Sequence, residues 1–450
     1  MQPHESRIGK LFTFLLKYLT AAILIFIPLY PKFPLISLTG SSVAIRAEDF
    51  LILLTAIVFV GHFLLQKKKK LPPLGLQVII YLAVGLLSSL SAILITKNVQ
   101  TTIVVLHLFR RIEYLLVFFF VYYVGISGWL TRRFLFELVL LPAIGVFLYG
   151  VAQLYFQAPV ISTMNTEFAK GVALTLQPGV MLSSTFAGHY DLAIYLIMIL
   201  AYVTVLLTFF GKKIYAASLF LSFVTLLWVL TQTSSRIAIL GLVASIAIIC
   251  FLRKRLILGV VLIFFVGVSI LTSASLLMRL GNIVRIFQAK LHSAVWVAPV
   301  YAREKIASPS AIVIVTPPAE VLRPIEQDRS TSIRFDVEWP RAIRAFYKNP
   351  LLGTGYSSTT LATDNEYLRA LGETGLLGFL AFISILIALG RGVYHRYLKA
   401  GSNLDKIITL GTLGAFSAFL ISAVFLDVFE ASKIAILFWA FTGLAMSTKS

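Results

Sequence analysis

Apolar runs long enough for membrane-crossing helices recur along the whole chain, separated by short polar stretches that hold most of the Lys and Arg. A helix needs roughly 20 apolar residues to cross about 30 Å of hydrocarbon. By that measure about twelve runs predict spans, near 11–29, 45–65, 74–95, 107–127, 134–156, 190–210, 214–232, 237–252, 256–276, 366–390, 407–425 and 432–447. The run at 237–252 is short for a crossing. The polar stretches set the orientation. With the N-terminus inside, the inside loops hold Lys67 to Lys70, Arg132 and Arg133, Lys212 and Lys213, Arg253 to Arg255, and the group Arg391, Arg396, Lys399 and Lys406. Alternate loops then follow the preference of Lys and Arg for the cytoplasmic side. The tetralysine run fits topology alone, with contact to anionic headgroups as the alternative. The first apolar run has no small-residue cleavage site and predicts an uncleaved helix.

This pattern divides the chain into a transmembrane bundle over 1–276 with about nine helices, an extracytoplasmic loop domain over 277–365, and a bundle over 366–450 with about three. The loop carries Arg279, Arg285, Arg303, Arg323, Arg329, Arg334, Arg341 and Arg344. Long loops cross regardless of charge, so these bases do not oppose the orientation. Within the loop, 311–315 predicts a short strand ended by Pro317 and Pro318. Residues 336–346 predict an amphipathic helix with Trp339 and Phe346 as membrane-surface anchors. No internal repeat, heptad pattern or low-complexity tail is present.

Composition narrows the class. Of 450 residues, 59% are hydrophobic and 13% charged, with mean hydropathy +0.92. A soluble domain has roughly 45–50% apolar and about 25% charged residues, and a disordered chain has low hydrophobicity and high charge. Both classes are excluded, and the fold class is an all-α polytopic membrane protein. The net charge of +20 would point to nucleic acid in a soluble chain. Here the basic loops account for it, and no nucleic-acid partner is expected. A lone cysteine, Cys250, excludes an intrachain disulfide. Walker A, G-x-S-x-G, H-E-x-x-H, Cys/His clusters and D-x-D pairs are absent. ATP-driven transport and metal-dependent nucleotide-sugar transfer both lose weight, and no metal or cofactor is expected.

What remains is a set of arginines and carboxylates on the outer side. Arg236 lies between two spans in a very short turn, where a cation needs a reason. Arg110 and Arg111 open the fourth span beside Glu113, and Arg46, Glu48 and Asp49 open the second. Arg334 and Arg341 precede the end of the loop. The planar guanidinium donates two hydrogen bonds at once and keeps its charge, so such a cluster suits a lipid diphosphate headgroup. The alternative is pairing with nearby carboxylates, or solvation. The stretch NPLLGTGYSSTTLATDNEYLRALGETGLLGF over 349–379 holds a Gly- and Pro-rich turn, then Asp364 and Asn365, then a helix. Asp364 is placed as the N-cap with Asn365 next to it. Glu366 and Arg369 share a face and can pair, and Glu373, about two turns in, is an intramembrane carboxylate and a functional candidate. His189 and Asp191 sit at the outer start of the sixth span, as a proton acceptor and its neighbour or as a polar cap.

Four segments resemble the O-antigen ligase/polymerase superfamily: SRxAxLGL at Ser235–Leu242, the NPLLGTGY turn, DNEYLRALGETGLLGF, and STFAGHYDLAIYL at Ser184–Leu196. The resemblance implies a GT-C-type glycosyltransferase that uses a glycan on undecaprenyl diphosphate at the outer face of the cytoplasmic membrane, needing neither ATP nor metal. It implies that arginines hold the diphosphate while an acceptor hydroxyl attacks the anomeric carbon. Arg236 and Arg334 match the family's arginines best by position, with Arg110 or Arg111 assisting. One departure stands out. Ligases that load lipid A core usually carry His-Asn at the start of the late helix, and here the pair is Asp364-Asn365. An aspartate can take the acceptor's proton, so the reading leans to a polymerase, or a ligase for another acceptor. Asp364, Glu373 and His189 are the candidate bases. Asn365, Asp191 and Arg341 are candidate contacts for glycan or acceptor glycolipid. The competing reading is a transporter or flippase for lipid-linked sugars, although such proteins place charges at the midplane and often show repeated halves.

Overall fold

The computed structural model describes residues 7–31, 33–37, 44–65, 72–97, 99–160, 174–175, 181–210, 213–273, 276–278, 281, 333–359 and 362–449. The tetralysine run, the strand expected at 311–315 and the loop arginines from Arg279 to Arg329 lie outside the described residues. The first helices are α1 (Arg7–Leu29), α2 (Ala47–Leu65), α3 (Gly75–Ser91), α4 (Thr101–Ser127), α5 (Arg132–Leu140) and α6 (Pro142–Tyr155). Then come α7 (His189–Phe209), α8 (Lys213–Gln232), α9 (Arg236–Leu252) and α10 (Leu256–Leu271). The last are α11 (Trp339–Lys348), α12 (Glu366–Lys399), α13 (Asn403–Ser422) and α14 (Ser432–Met446). Two small antiparallel ribbons, Pro34–Ser37 with Ala44–Arg46 and Pro159–Val160 with Leu174–Thr175, were not expected.

Eight segments are long and apolar enough to cross a membrane, and α9, α10 and α14 are shorter apolar helices. Apolar residues exposed along the flanks of α1, α2, α3 and α10 suit lipid as the surrounding solvent. The protein core sits on α7 and α14. Of the 21 residues of α7, 15 are buried, and so is every residue of α14. Small residues let the helices approach closely. A Cβ at Gly411 of α13 would lie 2.2 Å from the Tyr202 ring of α7, and one at Gly443 of α14 would lie 2.5 Å from the Phe118 carbonyl of α4. The Tyr202 hydroxyl and Thr412 hydroxyl hydrogen-bond across α7 and α13 at 2.8 Å.

Polar contacts gather at the two ends of this bundle. At one end Arg132 pairs with Asp405 at 2.7 Å, Arg253 stacks on Phe209, and the Tyr397 hydroxyl reaches the Leu252 carbonyl. The opposite end collects the starts of α2, α4, α7, α12 and α14.

Helix α12 has 34 residues, about 51 Å at 1.5 Å each, which exceeds a bilayer core. It is broken at Gly375, whose φ of 65° and ψ of −168° are not helical. The NPLLGTGY turn docks into the break. Thr354 and Gly355 N–H donate to the Gly372 and Glu373 carbonyls, and Leu376 and Leu377 N–H donate to the Pro350 and Leu351 carbonyls. The turn thus satisfies backbone groups that the break frees. Glu373 lies before the break, in the short upper part of α12, rather than two turns into an unbroken span.

Candidate functional site

The site is built by segments that the chain brings together from far apart. The segment Ser184–Tyr190 is stitched down first. The Ser184 hydroxyl donates to the Val146 carbonyl at 2.6 Å, Thr185 to the Pro28 carbonyl at 2.7 Å, and Gln153 to the Ser184 carbonyl at 3.0 Å. Lys433 of α14 is fully buried, donates to the Thr185 carbonyl at 2.8 Å and lies over the Phe186 ring. These bonds fix His189, Tyr190 and Asp191 at the start of α7.

The second support is a buried ion network around the turn between α13 and α14. Asp427 accepts from the Thr363, Asp364 and Asn365 N–H groups at 2.7, 3.1 and 3.3 Å and from Arg369 at 2.8 Å. Arg369, 1% exposed, also reaches Glu373 at 3.2 Å. Arg111 pairs with Glu430 and, at 3.6 Å, with Glu366, and Glu366 accepts from the Phe429 N–H at 3.1 Å. His107 lies 3.7 Å from Glu430. Glu366 and Arg369 thus take partners from distant segments, Arg111 and Asp427, beside the i,i+4 contact of Arg369 with Glu373. Glu373 also accepts from the Thr359 hydroxyl at 2.8 Å and the Ser357 N–H at 3.1 Å, so its carboxylate anchors the glycine-rich turn.

Asp427 shapes the turn that presents Asp364. With three N–H groups gathered on one carboxylate, Asp364 adopts a left-handed φ of 49°. The N-cap of α12 is then Asn365, whose side chain accepts from the Leu368 N–H at 2.9 Å. This corrects the expectation that Asp364 caps the helix. Its carboxylate instead takes Arg334 Nε at 2.8 Å and Nη2 at 2.7 Å. Arg334 starts a single wide turn, Arg334–Glu338, ahead of α11, and lies near Tyr190. Trp339 Nε1 donates to the Asp364 carbonyl at 3.4 Å and its ring packs against Phe425. Phe346 is half-buried, so neither aromatic expected as a membrane anchor is the exposed one.

Between these segments lies a cavity of about 320 Å³. Its charged lining is Arg46, Arg110, Asp191, Asp364, Asp427 and Glu430, with His189 and Tyr190 beside them. Arg46 is 7% exposed, donates to the Ser432 hydroxyl at 3.4 Å and lies 3.7 Å from Glu48. Its Nε is buried without a hydrogen-bond partner among the described residues. Two arginines and a histidine thus face four carboxylates, two of which, Asp427 and Glu430, are already engaged by Arg369 and Arg111. Burial raises the Asp364 carboxyl above the usual carboxylate range, against the pull of Arg334. Burial, with the charges of Asp364 and Asp427, pushes Glu338 up to about 7. Burial works against the Arg334 charge, but Asp364 and Tyr190 outweigh it and raise its pKa.

The structure therefore brings together Asp364, Arg334, His189, Asp191 and Arg110. Arg111, one residue further along α4, turns into the ion network, and Glu373 and Asn365 hold backbone. Arg236 begins α9 and Arg341 lies on α11, and neither lines the cavity. Arg46 belongs to the outer set of arginines visible in the sequence, whereas nothing there singled out Tyr190, Asp427 or Glu430. Two carboxylates three residues apart in a short turn between spans were the available signal. Among the described residues no group of three His, Cys, Asp or Glu is arranged to hold a metal ion.

Fold and site define a multi-pass membrane protein with a polar, arginine-containing cavity at one end of its bundle. Residues 221–383 match the family model described as O-Antigen ligase. That match supports the O-antigen ligase/polymerase superfamily, whose activity is glycosyltransferase-like. The matched stretch contains Ser235–Leu242, the NPLLGTGY turn and the Asp364–Phe379 segment, whereas Ser184–Leu196 lies outside it. No curated protein matches the chain.

Proposed function

We propose that the protein transfers a glycan from an undecaprenyl-diphosphate donor to an acceptor hydroxyl at the outer face of the cytoplasmic membrane, in cell-surface polysaccharide synthesis. Polymerisation of repeat units is favoured over loading of lipid A core, because Asp364 stands ahead of α12 where such ligases usually carry His. The proposal includes twelve crossings in a GT-C-like arrangement with the N-terminus inside. The observation that carries the reading is the cavity in which Arg46 and Arg110 face Asp364, itself paired with Arg334.

In this mechanism the bond between the anomeric carbon and the diphosphate oxygen breaks as the acceptor oxygen bonds to that carbon. Arg334, Arg110 and Arg46 stabilise the charge that develops on the diphosphate. Asp364 takes the acceptor's proton. Its pairing with Arg334 supplies an order of events. A diphosphate that draws the Arg334 guanidinium away removes the cation that stabilises the Asp364 carboxylate, and so makes it more basic. Donor binding thus prepares the base. His189 and Asp191 contact the glycan or acceptor from the start of α7. Arg236 keeps a donor-binding role on its motif, and Arg236→Ala beside Arg46→Ala tests which of the two matters.

The test is transfer in nanodiscs with an undecaprenyl-diphosphate oligosaccharide from the host, with products separated on a gel. A ladder of repeats from wild type, lost in Arg334→Ala and Asp364→Asn, is the expected result. A single shift that needs a second acceptor would make the protein a ligase. Absence of product, together with movement of the lipid-linked sugar across the bilayer, would replace the reading with a flippase.

A further inference from the structure

The wide turn and helix over 334–348 bury Ala342 and Ala345 against the upper part of α12. A Cβ at Gly372 would lie 2.8 Å from the Ala342 carbonyl, so the two helices touch backbone to backbone. The opposite face is exposed, and it is apolar where a solvated helix would be polar. Phe335 is 48% exposed, Ile343 40%, Tyr347 74% and Leu351, just beyond the helix, 60%. Arg344 and Lys348 are exposed along one edge of this row, and Asp336 is exposed at its start beside Phe335.

The row is continuous with the apolar flank of the bundle. The Leu351 carbonyl accepts from the Leu377 N–H, which sets Leu351 beside the exposed Leu376 and Leu377 at the head of the long lower part of α12. Asn349 donates to the Ser91 hydroxyl at 3.3 Å, next to the end of α3, where Leu94 and Ile95 are exposed. An apolar row flanked by basic residues suits a helix lying in a headgroup layer, with rings and aliphatic chains toward the acyl region and Arg or Lys toward phosphate.

We propose that the 334–348 element is an interfacial anchor, seated in the leaflet at the cavity end of the bundle, with Ile343, Tyr347 and Leu351 in lipid and Arg344 and Lys348 on anionic headgroups. Its occupant is the bilayer surface. Because Arg334 begins this element, the seat fixes the depth of Arg334 and of the cavity mouth. The inference does not depend on which glycan is transferred.

The test uses the full-length protein with Cys250→Ser, single cysteines at 343, 347 and 380, and a polarity-sensitive dye. Nanodiscs contain phosphatidylcholine with or without phosphatidylglycerol, and a lipid with a quencher near its headgroup. Leu380→Cys, on the exposed flank of α12, is the embedded reference. The expected result is a blue shift and loss of fluorescence to the shallow quencher at 343 and 347, deepened by phosphatidylglycerol. Arg344→Gln with Lys348→Gln should abolish the phosphatidylglycerol effect and leave Leu380→Cys unchanged. Unquenched dyes at 343 and 347 beside a quenched 380 would overturn the proposal. So would a blue shift without quenching in particles that hold two copies, because a second chain would then cover the face.

Discussion

Arg110 and Arg111 show how much one residue step matters on a helix, where neighbours point about 100° apart. Arg110 lines the cavity, while Arg111 is 7% exposed and locked between Glu366 and Glu430. Removing one member of a buried ion pair strands its partners and costs about 3–5 kcal/mol. Arg111→Gln should therefore lower the thermal midpoint of the detergent-solubilised protein sharply. Arg110→Gln should reduce transfer, because that side chain faces the cavity. A second test concerns Glu338, whose carboxyl lies at about 7 against an ordinary 4.5. A carboxyl raised in the folded state contributes stability that is complete below its unfolded value and is lost as pH rises through the folded one. Between about pH 4.5 and 7 wild type should lose stability relative to Glu338→Gln. Melting curves of the pair at pH 5 and pH 8 check the sign. For Asp364, which is held above the usual range, transfer should rise with pH as it ionises. Asp364→Asn should lower transfer by about 10²-fold or more, measured as initial rate in nanodiscs.

The element that organises the site is the break in α12. Gly375 adopts a backbone conformation essentially reserved for glycine, which costs other residues about 1–3 kcal/mol. A Cβ there would also lie 2.4 Å from the Leu351 carbonyl. Gly375→Ala should expel the NPLLGTGY turn. Hydrogen exchange over 349–359 should rise, and transfer should fall even though the turn contributes no side chain to the cavity. Gly267→Ala in α10 is the comparison, because a Cβ there meets nothing within 4 Å. Normal exchange in Gly375→Ala would refute this account of the motif. The turn and the Asp364 segment were legible as signals of local chemistry, since Gly, Pro and Asx residues mark turns and caps. That the turn repairs a broken helix was not legible, because the break depends on who supplies the missing backbone partners.

At the scale of the molecule, two ends carry different chemistry. Arg132 and Asp405 tie helices at the end that the basic loops assign to the cytoplasm, and the cavity lies at the other. In a Cys250→Ser background, Thr101→Cys in intact spheroplasts should react with a membrane-impermeant maleimide, and Gly401→Cys should react only after permeabilisation. The reverse pattern would invert the topology and place the cavity on the cytoplasmic side. Arg132→Gln should lower stability without changing transfer, which separates the tie from the site.

The sequence by itself determined that the protein is a multi-pass bundle, roughly where its helices lie, although α12 runs nine residues past the expected end and α4 starts six before the expected beginning, and which motifs point to O-antigen ligase chemistry. Those properties are local: a run of apolar residues is a helix in lipid because its backbone has no other partner there. Tertiary structure decided which charges share a site. Arg46 meets Ser432 across 386 residues of chain, and Arg111 meets Glu366 and Glu430 from opposite halves. Nothing in residue spacing distinguishes the arginine that enters the cavity from its neighbour that does not. That choice is made by the faces on which α4, α12 and the turn before α14 pack, and by the need of every buried charge for a partner.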